Sequence, residues 1–553
     1  MDVADFWDLH MKMTSSQRDK FVRRCKAAFA SEQLEARTLF SAPPVVSITA
    51  SVPTASGITG ADGQFEVARS GSTALPLKVY YTAASGTTIN SHQYTKLTGE
   101  VTIHGGETHS YIDVKPVTGL TVVTNPVLVL QLTAKKTYTA RSATATVTVD
   151  ENNGTVTPAT QRYYLPITIA GNGFARTDEP VDNNINLTTA LSALGGSGAI
   201  LDSSVQVVET DSSGNVINSS VPFQFNKASD YDATNDASGD LILEMTGTTT
   251  ATQTRYYRVY FDTQGTYTAP TFSSQVTVNQ NATDDVGEAA ISVTNSTATY
   301  VVQQGTGGIS QIIDNAGNVW VGFNSNGGSA GEYRGVPNLG IPSGLHPYDP
   351  VGNFPSSDAQ GTATTTVAST GPLETTINVA STDGNVSVTY QFYAGFVRVT
   401  VNQANEENSN DNDNYWFLYE GTPGGSFSDS DSYVLSDGTS NTLNNSFDDP
   451  NGIGNSTEGQ WASFQSASEN RFIYFANDTA SSVEDSYYDL NDQMTVFGFG
   501  RTAPTSDPSQ VQELSGANSF TIGIADGNST AAATIDGQYQ SVSETVGTPA
   551  LSS

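Results

Sequence analysis

The chain has 553 residues and a formal net charge of −33, with 56 Asp and Glu against 23 Lys and Arg. So acidic a surface repels nucleic acid and anionic membranes, and no stretch approaches the ~20 apolar residues of a membrane-spanning helix. Cys25 is the only cysteine, which excludes an intrachain disulfide and leaves no cysteine pair for a zinc site.

The length exceeds one hydrophobic core and implies three or four domains. Hydrophobic residues make up 37% and charged residues 14%. The remaining polarity comes from Thr, Ser, Asn and Gly. That mixture suits strands joined by Gly, Asn and Asp turns, and it does not suit helices. The expected fold class is all-β.

Residues 1–42 differ from the rest of the chain. Asp2 to Ala30 reads as helical, and Arg18, Lys20, Arg23, Arg24, Lys26 and Arg37 make the segment basic. The apolar core of an ordinary signal peptide is missing. Ser31 to Ala42, SEQLEARTLFSA, resembles the LEPR-xLL motif near the N-termini of large exported planctomycete proteins. Leu34, Glu35, Arg37, Leu39, Ser41 and Ala42 match it, while Ala36 stands where the family has proline and Phe40 where it has leucine. The resemblance implies a sorting segment and an extracellular or cell-surface location.

Residues 43–152 alternate with period two through VVSITASV, FEVARS, LPLKVYYTA, GEVTIHGG, SYIDVKPV, PVLVLQLT and SATATVTVD. Seven short strands in this length predict an immunoglobulin-like sandwich. FEVARSGS, LKVYYTAASGTT, GEVTIHGGETHSYIDV and ATVTVDEN make it similar to a Calx-beta domain. That resemblance implies calcium held by clustered carboxylates, since a hard cation takes several oxygens. Gln93 stands where the family has an acidic residue, and Val117 to Val123 has no carboxylate where the family has an acidic loop. Glu66, Asp150 and Glu151 remain as the calcium candidates. A plain spacer module is the other reading.

A linker, Glu151 to Thr160, precedes a smaller β-rich domain over 160–270. Its strands include RYYLPITIAG, SSVQVVETDSSGNVI, GDLILEMTG and TRYYRVYFD, and LTTALSALGG predicts one short helix. From 273 to 545 the pattern is again strands, with hardly any helix, and implies two large packed sheets. The ISQIIDNAGNVWVGF stretch resembles the opening of galactose-mutarotase-like or lyase-type supersandwich domains. Fold likeness of this kind does not give a function.

Four segments break the Ser/Thr/Asn texture. Gly331 to Pro350 is rich in Gly and Pro and cannot be a strand. It carries Glu332, Tyr333, Arg334, Asn338, His346, Tyr348 and Asp349, and His346 is the only histidine after His109. Asn414 to Gly425 is an aromatic strand with Trp416 that runs to Glu420. DSYYDL supplies Asp485 and Tyr487, and VFGFGR ends in Arg501. Sugars are gripped by aromatic faces together with carboxylate and amide hydrogen bonds. Tyr333, Asn338, Asp349, Trp416, Asp485, Tyr487 and Arg501 are therefore candidates for substrate binding. His346, Glu332, Arg334, Tyr348 and Glu420 are candidates for catalysis. An arginine neutralising a uronate beside a His or Tyr base meets the needs of β-elimination. A pair of carboxylates flanking the glycosidic oxygen meets those of hydrolysis.

Each residue also has a structural reading, as a loop ion, a turn or a packed aromatic. Two accounts of function stand. In one, the C-terminal region binds a polysaccharide or cell-surface glycan, with cleavage of an acidic polysaccharide as its chemistry. In the other, the whole chain is a non-catalytic surface adhesion or structural protein.

Overall fold

A computed structural model describes residues 43–552 apart from 57–60, 85, 90–93, 118–125, 142, 151–159, 324–338, 340–344, 346–362, 406–413, 450–459, 480–482, 491–493, 501–513 and 529–530. The described chain is nearly all β. It divides into two compact units, one ending at Asn153 and one running from Gly154 to the C-terminus.

The first unit is a two-sheet sandwich. One sheet has four strands in the order His109–Val114, Gly63–Ser70, Val45–Val52 and Thr139–Ala140. The other has five, in the order Thr54–Ser56, Thr144–Asp150, Val127–Leu132, Leu77–Ala83 and Glu100–Ile103. Period-two apolarity sends every second side chain inward, so Phe65 and Val67 meet Val79, Leu128 and Val147 in one core. Arg69 is buried beside that core, and its guanidinium donates to the carbonyls of Thr73, Leu75, His104 and Glu107. It ties the turn at one end of the sandwich to two strands.

In the second unit, a central strand Tyr163–Ala170 lies between Thr254–Phe261 and Ser543–Val546. The C-terminal segment thus closes the sheet that opens this unit. A three-stranded sheet packs over it in the order Arg176–Asn186, Ser238–Thr249 and Phe223–Lys227. The predicted short helix is present at Leu187–Ala193, capped by the Asn186 side chain accepting from Thr189 N–H.

The rest of the unit centres on a nine-stranded antiparallel sheet. Its middle strands run in the order Val386–Phe392, Phe396–Ala404, Asn518–Asp526 and Arg471–Asn477. The opposing layer is not one sheet, as the sequence suggested, but a five-stranded sheet over 277–321 and a four-stranded sheet containing Phe417–Gly421, Met494–Phe499, Asp485–Leu490 and Phe447–Asp449. Both feed one core. Tyr300 meets Phe392 at 5.7 Å between ring centroids, Tyr419 stacks on Phe475 at 4.3 Å, and Phe417 stacks on Phe520 at 4.0 Å. A second helix, Ala531–Tyr539, lies on the outer face of the nine-stranded sheet against Trp461, Phe472 and Tyr474. Trp461 Nε1 donates to Asp536 at 3.0 Å, which pins that helix.

Candidate functional site

The residues singled out from the sequence fall into three groups. Glu332, Tyr333, Arg334, Asn338, His346, Tyr348, Asp349, Arg501 and Glu151 lie outside the described residues. Glu420, Asp485 and Tyr487 share the four-stranded sheet, with Trp416 just before its first strand. Glu420 and Tyr488 flank Val496 from its two neighbouring strands. Glu420 and Trp416 are half-buried. Trp416 Nε1 is sealed with no acceptor among the described residues. Asp485 is buried and accepts from Gly500 N–H at 3.1 Å. Tyr487 is fully buried, and its hydroxyl donates to the Leu443 carbonyl at 2.5 Å. Its ring packs among Tyr433, Phe447 and Phe464, so it is a core side chain and not a platform at the surface.

Glu66 is half-buried in the first unit on the strand Gly63–Ser70, and Asp150 ends the strand Thr144–Asp150. Among the described residues, no three His, Cys, Asp or Glu side chains gather closely enough to hold a metal ion.

A cleft that sequence reasoning missed lies on the second unit. It has a volume of about 300 Å³ and is lined by Glu179, Asp182, Arg398, Asp478, Ser519, Tyr539, Gln540 and Glu544, among others. Its floor runs along the strand Arg176–Asn186, which is the edge of its sheet. Two features mark this strand as an edge. Pro180 lacks the N–H that an interior strand needs. Asp178 takes a left-handed φ of 51° where the register slips between Thr177 and Glu179. The bulge is held by Gly247 N–H donating to Asp178 Oδ1 at 2.6 Å. Bulges re-aim the side chains beyond them, and the next side chain is Glu179.

Glu179 is only 7% exposed, and among the described residues its carboxyl makes no hydrogen bond or ion pair. Burial, against the opposing charges of Arg176 and Arg398, pushes its carboxyl up to about 8, so it is largely protonated at neutral pH. Asp182 accepts the Tyr393 hydroxyl at 2.5 Å through Oδ2, while its Oδ1 is buried without a hydrogen-bond partner among the described residues. Burial raises its pKa also. Asp478 accepts from Ser519 Oγ at 3.0 Å and from Thr521 Oγ1 at 2.9 Å, and burial pushes it up to about 6. Glu544 is raised by burial and by Asp182.

Arg398 stands among these acids. Its contacts to Asp182 and Asp478 are 3.5 and 3.8 Å, longer than the about 2.7–2.9 Å of a tight charge-assisted hydrogen bond. The guanidinium is thus held in place electrostatically, with donors left for an incoming oxygen. It is 29% exposed, so part of it faces the cleft mouth. Arg176 turns its two Nη groups elsewhere, while its buried Nε has no hydrogen-bond partner among the described residues. It donates to the carbonyls of Gly171, Phe174, Gln540 and Ser541, and so joins the edge strand to the C-terminal segment.

A larger, more open hollow of about 630 Å³ lies between Phe223, Phe272, Val276 and Pro372. The single ionisable group on its described wall, Asp202, already pairs with Lys227 at 2.6 Å and Tyr231 at 3.0 Å. The smaller cleft is where unspent polar groups gather.

Fold and site together define a modular all-β protein whose larger unit carries an acidic cleft. No family model matches the chain, and no curated protein does. Solved structures with some likeness include an apo-form Calx CBD1 domain, at 13% identity and a TM-score of 0.18, covering 20% of this chain and 98% of that one. The CBD12 pair of CALX1.2 stands at 9% and 0.18, covering 47% and 82%. The calcium binding domain CBD12 of CALX1.1 stands at 12% and 0.17, covering 39% and 76%. Likeness of this order carries no functional weight.

Proposed function

We propose that the chain is an exported, modular surface protein that binds a glycan in the cleft of its larger unit, with the first unit as a spacer. The observation that carries the reading is Glu179, an unpartnered buried carboxyl on the wall of a cavity of about 300 Å³. That volume lies at the lower end of the range of small-ligand sites. Its donor set suits a polyol. Carboxylates accept hydroxyl hydrogens, the guanidinium donates to hydroxyl oxygens, and Tyr539 offers part of a ring for a C–H face.

An acidic polysaccharide is the poorer ligand. Asp182, Asp478 and Glu544 outnumber Arg398 on the walls, and like charges brought together cost binding energy. This favours a neutral or aminated glycan and gives no support to uronate elimination at this cleft. Export rests on the likeness of Ser31 to Ala42 to a sorting motif and is part of the proposal.

The test is a glycan array probed with the purified chain and with Asp182→Asn plus Asp478→Asn. Binding lost in the double variant supports the reading. Equal binding by both proteins places any glycan site elsewhere, and no binding by either leaves the surface protein without this ligand class.

A further inference from the structure

We infer that the glycan carries a free amine, as in a hexosamine unit, and that its ammonium is received by Glu179. The inference rests on the reading of the cleft as a glycan site and names the chemistry it selects.

Four observations lead there. Glu179 is only 7% exposed, yet among the described residues its carboxyl accepts no hydrogen bond, although Arg176 and Arg398 face it. A buried carboxyl without a partner is costly, and a ligand that brings donors removes the cost. Asp182 Oδ1 is a sealed acceptor with no donor among the described residues. The protein's own cations do not close on Glu179: Arg176 turns both Nη groups to carbonyl oxygens and makes no ion pair with it, and Arg398 holds Asp182 and Asp478 only at 3.5 and 3.8 Å. Finally, no three carboxylates among the described residues converge on a point where a bare metal ion would sit. They line a cavity the size of a small organic molecule instead. The cation that fits is one whose charge sits on a larger polar body.

An ammonium offers three N–H donors, and the sugar hydroxyls on the same ring are left for Arg398 and Asp478. The charged groups facing Glu179 are Arg176 and Asp182 on its own strand, and Arg398 from the nine-stranded sheet. Tyr474 lies near it on that sheet, and Asp478 and Glu544 lie across the cavity. Because Glu179 is largely protonated when empty, docking of the ammonium ionises it. The carboxyl gives its proton to solvent and the ammonium keeps all of its own. At about pH 6, where the sugar amine arrives protonated, binding therefore releases a proton.

The experiment is isothermal titration calorimetry of the full chain with three oligosaccharides of equal length: glucosamine, N-acetylglucosamine and glucose oligomers. Each is run in two buffers of different ionisation enthalpy. The expected result is about tenfold or tighter binding of the glucosamine oligomer, with a buffer-dependent enthalpy showing net proton release. Glu179→Gln should remove both the preference and the proton release while leaving the fold intact by circular dichroism. Equal binding of the three oligomers overturns the amine and leaves a glycan site standing. Preference without proton release, or preference kept in Glu179→Gln, moves the amine away from Glu179 and overturns the assignment. No binding of any oligomer overturns the inference together with the glycan reading.

Discussion

Tyr393 donates its hydroxyl hydrogen to Asp182 at 2.5 Å, across a separation of 211 residues. The bond joins the nine-stranded sheet to the edge strand that floors the cleft, and the Tyr393 ring stands 5.8 Å from the Arg398 guanidinium. Tyr393→Phe removes one donor and leaves both Asp182 oxygens without a hydrogen-bond partner. The expected cost is about 1–3 kcal/mol of stability, read by urea unfolding, with weaker ligand binding in the cleft. An unchanged midpoint and unchanged affinity would show that the bond positions nothing.

The pH dependence of stability stems from buried acids, two of them in the cleft. Burial pushes Glu179 to about 8 and Asp478 to about 6, and Glu374, buried near Gln224 and Asn226, to about 7. A carboxyl whose folded value is raised binds its proton more tightly in the folded chain. Its stabilising effect is complete below the ordinary carboxyl range near pH 4 and is lost as pH rises through the folded value. Calorimetric melting temperatures should therefore fall from pH 5 to pH 9. Glu179→Gln should flatten the upper part of that decline. A profile that rises with pH would reverse the sign and refute the assignment.

Arg255 and Glu209 form a closed pair inside the second unit, Nε to Oε1 and Nη2 to Oε2, both at 2.6 Å. Both side chains are under a tenth exposed. Glu209→Ala strands the guanidinium, and the expected loss is about 3–5 kcal/mol. Arg255→Met with Glu209→Leu removes both charges and should recover much of that loss. Failure of the double variant to recover it would mean that the pair does more than neutralise itself. Thr246 and Thr249, which also accept from Arg255, would then be the groups to examine.

Tyr487 separates a packing role from a sugar platform. Tyr487→Phe loses the bond to the Leu443 carbonyl, about 1–3 kcal/mol for an acceptor left buried. Glycan binding should not change. Loss of binding in a variant that still folds would put this aromatic back among the ligand contacts.

The sandwich of residues 43–150 was legible because every strand alternates and turn residues punctuate most gaps. The cleft was not, for reasons its residues make plain. RTDEPVDNNIN reads as a loop, since Asp, Asn and Pro are poor strand formers. It is a strand because it lies at an edge, where Pro180 costs no ladder bond, and because Asp178 absorbs the bulge. Arg398 within FVRVTV was the one local signal, a lone cation in an apolar strand. The helix Ala531–Tyr539 carries Gly537 and no clear apolar stripe. The glycine is needed there, since a Cβ would come within 2.8 Å of the Ala175 carbonyl oxygen. The cleft is assembled by that close approach and by the returning strand Ser543–Val546. Its members, at positions 179, 398, 478 and 544, therefore form no motif along the chain.

A crystal of the full chain soaked with a glucosamine oligosaccharide tests the central claim most directly. The account predicts one sugar ring in the cleft, its amine within hydrogen-bond distance of Glu179 and a hydroxyl on Arg398. A cleft left empty while the oligosaccharide sits elsewhere on the protein would contradict it.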